Sequence, residues 1–226
     1  MNNFIIATIK PWNISNFHKY QRGGWFLVTE NRLLQGTIKT LNPRAIFFPH
    51  WNHIVPKEIY KNYECVIFHA TDLPKGKGKE PFQYLIENGY ESTTLTVFRC
   101  VNEIDSGPVY AKIPLSLSGS VEECYKRCSY LIFDQIVEMT THINKGRLYT
   151  PKIQIGESSN CSNPTNEILL DAIDNLDEIY HKIRAWDSES YPKAYFDVDE
   201  FTFEFSNSVR RHNCVEAHVK ISMKEE

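Results

Sequence analysis

A chain of 226 residues with 42% apolar, 23% charged and 13% aromatic residues has a globular makeup and can bury a core without disulfide or metal staples. Disordered and collagen-like classes are excluded, and no apolar run approaches the roughly 18 residues that a membrane span needs. A net charge of −3 argues against a bulk cationic grip on nucleic acid.

In chain order, residues 4–9 form a β-branched run that stops at Lys10-Pro11 and predicts a strand, with a helix over 13–20. Strands are expected over 25–29 and 45–48, with helical spacing over 31–41 between them. Residues 56–60 fit a brief helix with Pro56 in its first turn, and 65–68 a buried strand. A helix over 80–88 has Pro81 near its start and Gly89 past its end, and strands over 93–101 and 109–113 follow. Ser120-x-x-Glu123 is a capping-box pattern ahead of Val121, Cys124, Tyr125, Cys128, Leu131, Ile132, Ile136 and Met139, a stripe of helical period.

This alternation predicts an α/β class: a Rossmann-like, mostly parallel sheet with flanking helices over residues 1–150. Ligands of such sheets lie beyond the carboxyl ends of the strands, so residues that follow strands lead the candidates. After a Ser/Asn/Pro loop at 156–165, one helix is expected with Ile168, Ala172, Ile173, Leu176, Ile179, Tyr180 and Ile183 on a common side. Strands near 200–205 and 214–221 follow, so residues 151–226 read as a small C-terminal α+β extension packed on the first domain. The six cysteines make no C-x-x-C pair and read as reduced thiols. Met1-Asn2-Asn3 lacks the basic start of a secretory leader, which makes the cytoplasm the default location.

Charge is uneven, with 17 Lys/Arg against 13 Asp/Glu in residues 1–150 and 8 against 15 in residues 151–226. Either this favours a small anionic ligand on the first part, or it is chance surface charge.

Two residues could carry chemistry. His69 follows the apolar run Cys65-Val66-Ile67-Phe68, where a strand end opens on the crevice, although a structural histidine fits the same pattern. Asp105 lies in Glu103-Ile104-Asp105-Ser106-Gly107-Pro108, which ordinary turn chemistry also explains. Brought together, a carboxylate and an imidazole can relay a proton at neutral pH. No metal is expected, because His50-x-x-His53 has no third ligand in view.

Phe68-His69-Ala70-Thr71-Asp72-Leu73-Pro74, then Pro81-x-Gln83, then Ile104-Asp105-Ser106-Gly107-Pro108-Val109 together resemble the core of folate-dependent formyltransferases. That family includes methionyl-tRNA, glycinamide ribonucleotide and nucleotide-sugar formyltransferases. Phe47-Phe48-Pro49-His50-Trp51-Asn52-His53-Ile54-Val55-Pro56 looks like its pterin-wrapping strand and loop. Ile183-Arg184-Ala185-Trp186-Asp187 with Tyr191-Pro192-x-Ala194 is similar to a motif of the sugar enzymes.

The resemblance implies 10-formyltetrahydrofolate as formyl donor, with His69 and Asp105 as catalytic residues. It implies folate contacts from Trp51, His53, Ile54 and Val55 on one wall and from Val101, Asn102, Glu103 and Ile104 on the other. For Trp51 and Ile54, plain core packing is the alternative. Lys10, Trp12, Asn13 and Lys77 are the candidates for the acceptor, with Lys10 or Lys77 on a diphosphate and Trp12 stacked on a base or sugar. Lys75 and Lys79 read as solvated. A tRNA acceptor is disfavoured by the acidic second part; glycinamide ribonucleotide is an alternative, against which the Arg-Ala-x-Asp and Tyr-Pro motifs lean toward sugars. The expected acceptor is therefore a nucleotide-linked amino sugar of the 4-amino-4,6-dideoxy hexose type, in surface polysaccharide building. No nucleic-acid or membrane partner is expected, and a homodimer follows by family analogy.

One position departs from the family. Two residues before His69, where the family has Asn, this chain has Ile67, which cannot donate a hydrogen bond to a developing oxyanion. Losing such a donor costs about 2.7–4 kcal/mol of activation free energy. Three readings follow, in this order: Asn52 is the substitute, His69 as imidazolium suffices with backbone N–H groups, or the chain binds without catalysing.

Overall fold

A computed structural model describes residues 2–147 and 149–224. The chain opens with β1 (Phe4–Ala7), α1 (Pro11–Tyr20), β2 (Trp25–Val28), α2 (Asn31–Leu41), β3 (Ala45–Phe48), α3 (Lys57–Tyr60) and β4 (Glu64–His69). Next come α4 (Pro81–Glu87), β5 (Ser92–Arg99), β6 (Val109–Ser116) and the long α5 (Val121–Asn144). The chain closes with α6 (Leu176–Ala185), β7 (Ala194–Val198), β8 (Phe201–Arg210) and β9 (Val215–Met223).

The first six strands form one sheet in the order β2-β1-β3-β4-β5-β6. β1 pairs in parallel with β2 and β3, β3 in parallel with β4, and β4 antiparallel with β5. This is the expected mostly parallel α/β sheet with flanking helices. β1 and β3 are buried at every position, which is why Phe4-Ile5-Ile6-Ala7 and Ala45-Ile46-Phe47-Phe48 read as unbroken apolar runs rather than alternating ones. Covering such a sheet takes apolar helix faces, and α5 carries one, with Cys128, Ile132, Ile136 and Met139 buried. The capping box forms at its start: Ser120 N–H donates to Glu123 Oε2 at 2.8 Å, and Glu123 N–H donates to Ser120 Oγ at 3.3 Å.

The described chain clusters into two compact units. One comprises Met1–Gly78, Thr94–Leu115 and Lys126–Asn160, and the other Lys79–Thr93, Ser116–Tyr125 and Cys161–Glu226. Within the second, β7, β8 and β9 form an antiparallel sheet.

Two sequence expectations for this part need correction. The single helix over 168–183 is a three-residue 3-10 turn (Leu170–Ala172) followed by α6 alone. Asn175 is the cause, because its side chain accepts from the N–H groups of Asp177 and Glu178 and so caps a new helix there. There are also three strands rather than two, since β7 and β8 join through a tight turn at Asp199, whose φ of 48° lies in the left-handed region.

The Arg-Ala-Trp-Asp stretch is a structural latch of this second unit. Arg184 donates to the carbonyls of Leu117 and Gly119 at 2.7 and 2.8 Å, Trp186 Nε1 donates to Glu87 at 2.6 Å, and Asp187 accepts from Asn207 N–H at 2.8 Å and Lys193 at 3.1 Å. Gln83 is buried beside Tyr125, whose hydroxyl lies 3.3 Å from Gln83 Oε1 and 3.0 Å from the Tyr191 hydroxyl. Burial first, then Tyr191, raises the Tyr125 phenol well above its ordinary pKa.

Candidate active site

The first unit gathers the chemistry-bearing residues at the carboxyl ends of β1, β3 and β4, where a parallel sheet presents its crevice. His69 ends β4 and is 8% exposed. Its Nε2 lies 2.8 Å from the carbonyl of Gly76, an oxygen that also accepts from the Thr71 hydroxyl at 3.1 Å. A carbonyl only accepts, so Nε2 carries a proton. Its Nδ1 faces Asp105 Oδ2 at 3.9 Å, longer than a direct hydrogen bond.

The Asp105 carboxylate accepts the Gly78 N–H at 3.0 Å through that same oxygen. Gln154, which the sequence did not single out, donates to the backbone oxygens of Asp105 and Gly107 at 3.0 and 2.8 Å. Lys77 reaches into the same turn, donating to Ser106 Oγ at 2.6 Å and pairing with Glu103 at 3.6 Å. Ser106 first, then Lys77, holds the Glu103 carboxyl below the ordinary carboxylate range. His69, Asp105 and Lys77 are thus brought together, and two turns are fastened around the pair.

A second cluster stands at the neighbouring strand ends. Asn13 is fully buried at the start of α1, and its Nδ2 lies 3.0 Å from Thr8 Oγ1, 3.1 Å from Pro49 O and 3.0 Å from His50 Nδ1. Trp12 Nε1 donates to the same His50 nitrogen at 3.2 Å. Lys10 lies over the Trp12 ring at 5.6 Å. Desolvation first, then the charges of Lys10 and His69, push the His50 pKa down to about 3.

The loop residues divide. Val55 is buried in the core cluster, and Trp51 packs partly against it. Asn52 and His53 are exposed, Ile54 is 85% exposed and Ile104 69%. Asn102 and Glu103 are exposed and Val101 half-buried. Tyr60 donates to Asn102 Oδ1 at 3.1 Å, tying the loop before β6 to the helix that follows the loop after β3. Ile67 lies on β4 opposite Phe48 of β3 and Phe98 of β5 and packs against the core. Among the described residues, no His/Cys/Asp/Glu group has a metal-holding arrangement, and no helix is long and apolar enough to cross a membrane.

Two family models match the chain: a formyl transferase model over residues 28–131, and one described as the methionyl-tRNA formyltransferase C-terminal domain over 165–222. A methionyl-tRNA formyltransferase structure from Clostridium thermocellum is 35% identical with a TM-score of 0.90, covering 99% of this chain and 100% of that one. The methionyl-tRNA formyltransferase of Thermotoga sp. (strain RQ2) is 23% identical over 72% of this chain and 54% of its own length. The chain spans about half the length of the curated relatives it matches. A 4-N formyltransferase from Francisella tularensis shares the fold at 16% identity, with a TM-score of 0.68 and coverage of 88% of this chain and 93% of that one.

Proposed function

Because the chain belongs to the folate-dependent formyltransferases, we propose that it transfers the formyl group of 10-formyltetrahydrofolate to the primary amine of a nucleotide-linked amino sugar, of the 4-amino-4,6-dideoxy hexose type. The observation that carries the transfer is the enclosed His69–Asp105 pair at a strand end, with a carbonyl on the outer ring nitrogen and an N–H on the carboxylate.

The residues present fit a pterin. Ile54 and Ile104 are large apolar side chains left open on two loops, and the Trp51 indole N–H is a buried donor without an acceptor among the described residues. Trp51, His53 and Ile54, with the backbone of the core residue Val55, would line one wall and Val101, Asn102, Glu103 and Ile104 the other. When bound, the folate supplies the formyl carbon: a C–N bond forms to the amine, the bond to folate N10 breaks, the amine nitrogen loses a proton and N10 gains one.

Asp105 is the group to accept the amine proton, directly or through a water, because Gly78 fixes one of its oxygens. His69, whose Nε2–H is held by Gly76, would relay through Nδ1, taking the proton from Asp105 and passing it to the departing nitrogen, so that the proton the amine loses is the one N10 gains. Much of the acceleration comes from holding amine and formyl carbon in contact, an effect worth up to about 7–11 kcal/mol. Lys10, at the α1 end of the crevice, would meet a diphosphate; Trp12 is only 5% exposed, so it would serve by holding Lys10 and His50 rather than by stacking on a base or sugar, and Asn13 and Lys77 would support the acceptor side through the loops they hold.

The acidic balance of residues 151–226 supports a small acceptor over tRNA. A second reading, methionyl-tRNA as acceptor, is favoured by the 35% identity to the Clostridium thermocellum protein over its whole length. Incubating the protein with 10-formyltetrahydrofolate and either a panel of nucleotide-linked amino sugars or methionyl-tRNA, with mass spectrometry of the products and His69→Ala as blank, separates them. A formylated sugar is the expected product. Formyl-methionyl-tRNA alone overturns the acceptor, and folate binding with transfer to nothing overturns the activity and leaves a binding module.

A further inference from the structure

Formyl transfer places negative charge on the formyl oxygen, and the side chains nearest by sequence are poorly suited to meet it. Ile67 has no donor. The Nε2–H of His69 is engaged by Gly76, and its Nδ1 faces Asp105. Asn52 lies exposed on the loop after β3.

One strand across, a donor of unusual character is present. Phe48, the last residue of β3, is level with Ile67 of β4, and the chain turns at Pro49 and His50, close enough to His69 for the charge of one ring to act on the other. The His50 backbone holds a φ of 47°, a left-handed conformation that non-glycine residues keep only when their surroundings impose it. The surroundings here are Trp12 and Asn13. An indole N–H can only donate, so the 3.2 Å contact from Trp12 requires a lone pair on His50 Nδ1, and the 3.0 Å approach of the Asn13 amide agrees. The ring proton is therefore on Nε2. The two nitrogens of an imidazole point in diverging directions. Nδ1 is turned to α1, which follows β1, and the sheet order β1-β3-β4 puts β4 and His69 on the other side.

We propose that His50 is the oxyanion donor of this chain, a neutral imidazole whose tautomer is locked by Trp12 and Asn13 and whose Nε2–H meets the formyl oxygen in the place of the side chain that Ile67 lacks. This rests on the formyl-transfer reading above. As the amine nitrogen bonds to the formyl carbon, the C=O π pair moves onto oxygen and accepts a hydrogen bond from Nε2–H. The pair returns as the bond to N10 breaks, and His50 keeps its proton throughout. A neutral ring suits this work, because it donates without surrendering a proton to the oxyanion. The site enforces neutrality through the Trp12 indole on Nδ1 and through burial of the ring, to which the positive charge of Lys10 adds.

Steady-state kinetics on wild type, His50→Phe, His50→Gln and Asn52→Ala test the role. His50→Phe is expected to lower kcat by about 10²–10³-fold, with the KM for folate within about threefold. His50→Gln, which restores an N–H near the Nε2 position, is expected to recover to within about tenfold of wild type. A His50→Phe enzyme within about threefold of wild type in kcat overturns the proposal, as does a comparable loss in Asn52→Ala with His50→Phe unaffected.

Nitrogen NMR of histidine-labelled wild type gives a readout independent of turnover and of whether the Phe variant folds. The Nε2-protonated neutral form is expected to persist from about pH 7 down to about pH 4. A ring protonated on Nδ1, or one that titrates in the ordinary imidazole range, overturns the lock and with it the proposal. A wild type that binds folate and transfers to no acceptor overturns the function itself, whereas transfer that survives His50→Phe overturns only the donor.

Discussion

Asp105 holds a φ of 53°, in the left-handed region that Asp and Asn tolerate better than other side chains. Its side chain accepts from Gly78, and its backbone oxygen accepts from Gln154. Asp105→Asn therefore keeps the turn and the acceptor for Gly78 and removes only the charge. If Asp105 takes the amine proton, the variant is expected to lose about 10²–10⁴-fold in kcat with an unchanged thermal midpoint. A loss below about tenfold would take Asp105 out of proton transfer. At this scale, sequence and structure part company in a definite way. His69 and Asp105 were legible because each closes a strand or opens a turn inside a recognisable pattern, and the chain brings them within 3.9 Å. His50 stands in a motif that gives it no role by itself, since the contact that fixes its tautomer joins the start of α1 to the turn after β3, and no local spacing encodes that meeting. Gln154 was missed for the same reason, lying 47 to 49 residues from the carbonyls it holds.

At the scale of elements, the turn between β5 and β6 shows why a pattern of residue types is a pattern of contacts. The Gly107 of Asp-x-Gly is required by close approach: a Cβ built there would lie 1.7 Å from the Arg99 carbonyl oxygen and 2.9 Å from its carbon. Both atoms are backbone of β5, whose Arg99 N–H also donates to Pro108 O at 2.9 Å, so neither can swing away as a side chain would. Gly107→Ala must push the turn off the sheet. It is expected to destabilise the protein by about 2 kcal/mol or more in urea unfolding and to lower kcat by displacing Asp105. A variant of wild-type stability would mean that the turn relaxes freely. The elements of the parallel sheet were read from sequence to within a few residues, because fully buried strands and capped helices leave strong local signals. The C-terminal part was read less well. The apolar spacing across 168–183 spans a break that the Asn175 cap imposes, and β7 is a five-residue strand whose pairing with β8 depends on a turn at Asp199 rather than on its own composition.

At the scale of the whole chain, charge separates the two acceptors. A net of −3, with 15 acidic against 8 basic residues in 151–226, gives little surface on which a long polyanion can displace its counterions. A nucleotide-linked sugar brings only a diphosphate, which a few cations at the crevice can meet. The two acceptors therefore differ in how transfer responds to salt. For a sugar nucleotide, kcat/KM is expected to fall by less than about tenfold between about 50 and 200 mM salt, because few ions are released. A tRNA acceptor held through many phosphates would lose on the order of 10³–10⁵-fold over the same range. Measuring kcat/KM for the productive acceptor across that range, with folate saturating, reads the number of phosphates engaged. A steep slope would mean that the chain grips a nucleic acid despite its acidic second part, and the sugar assignment would fall.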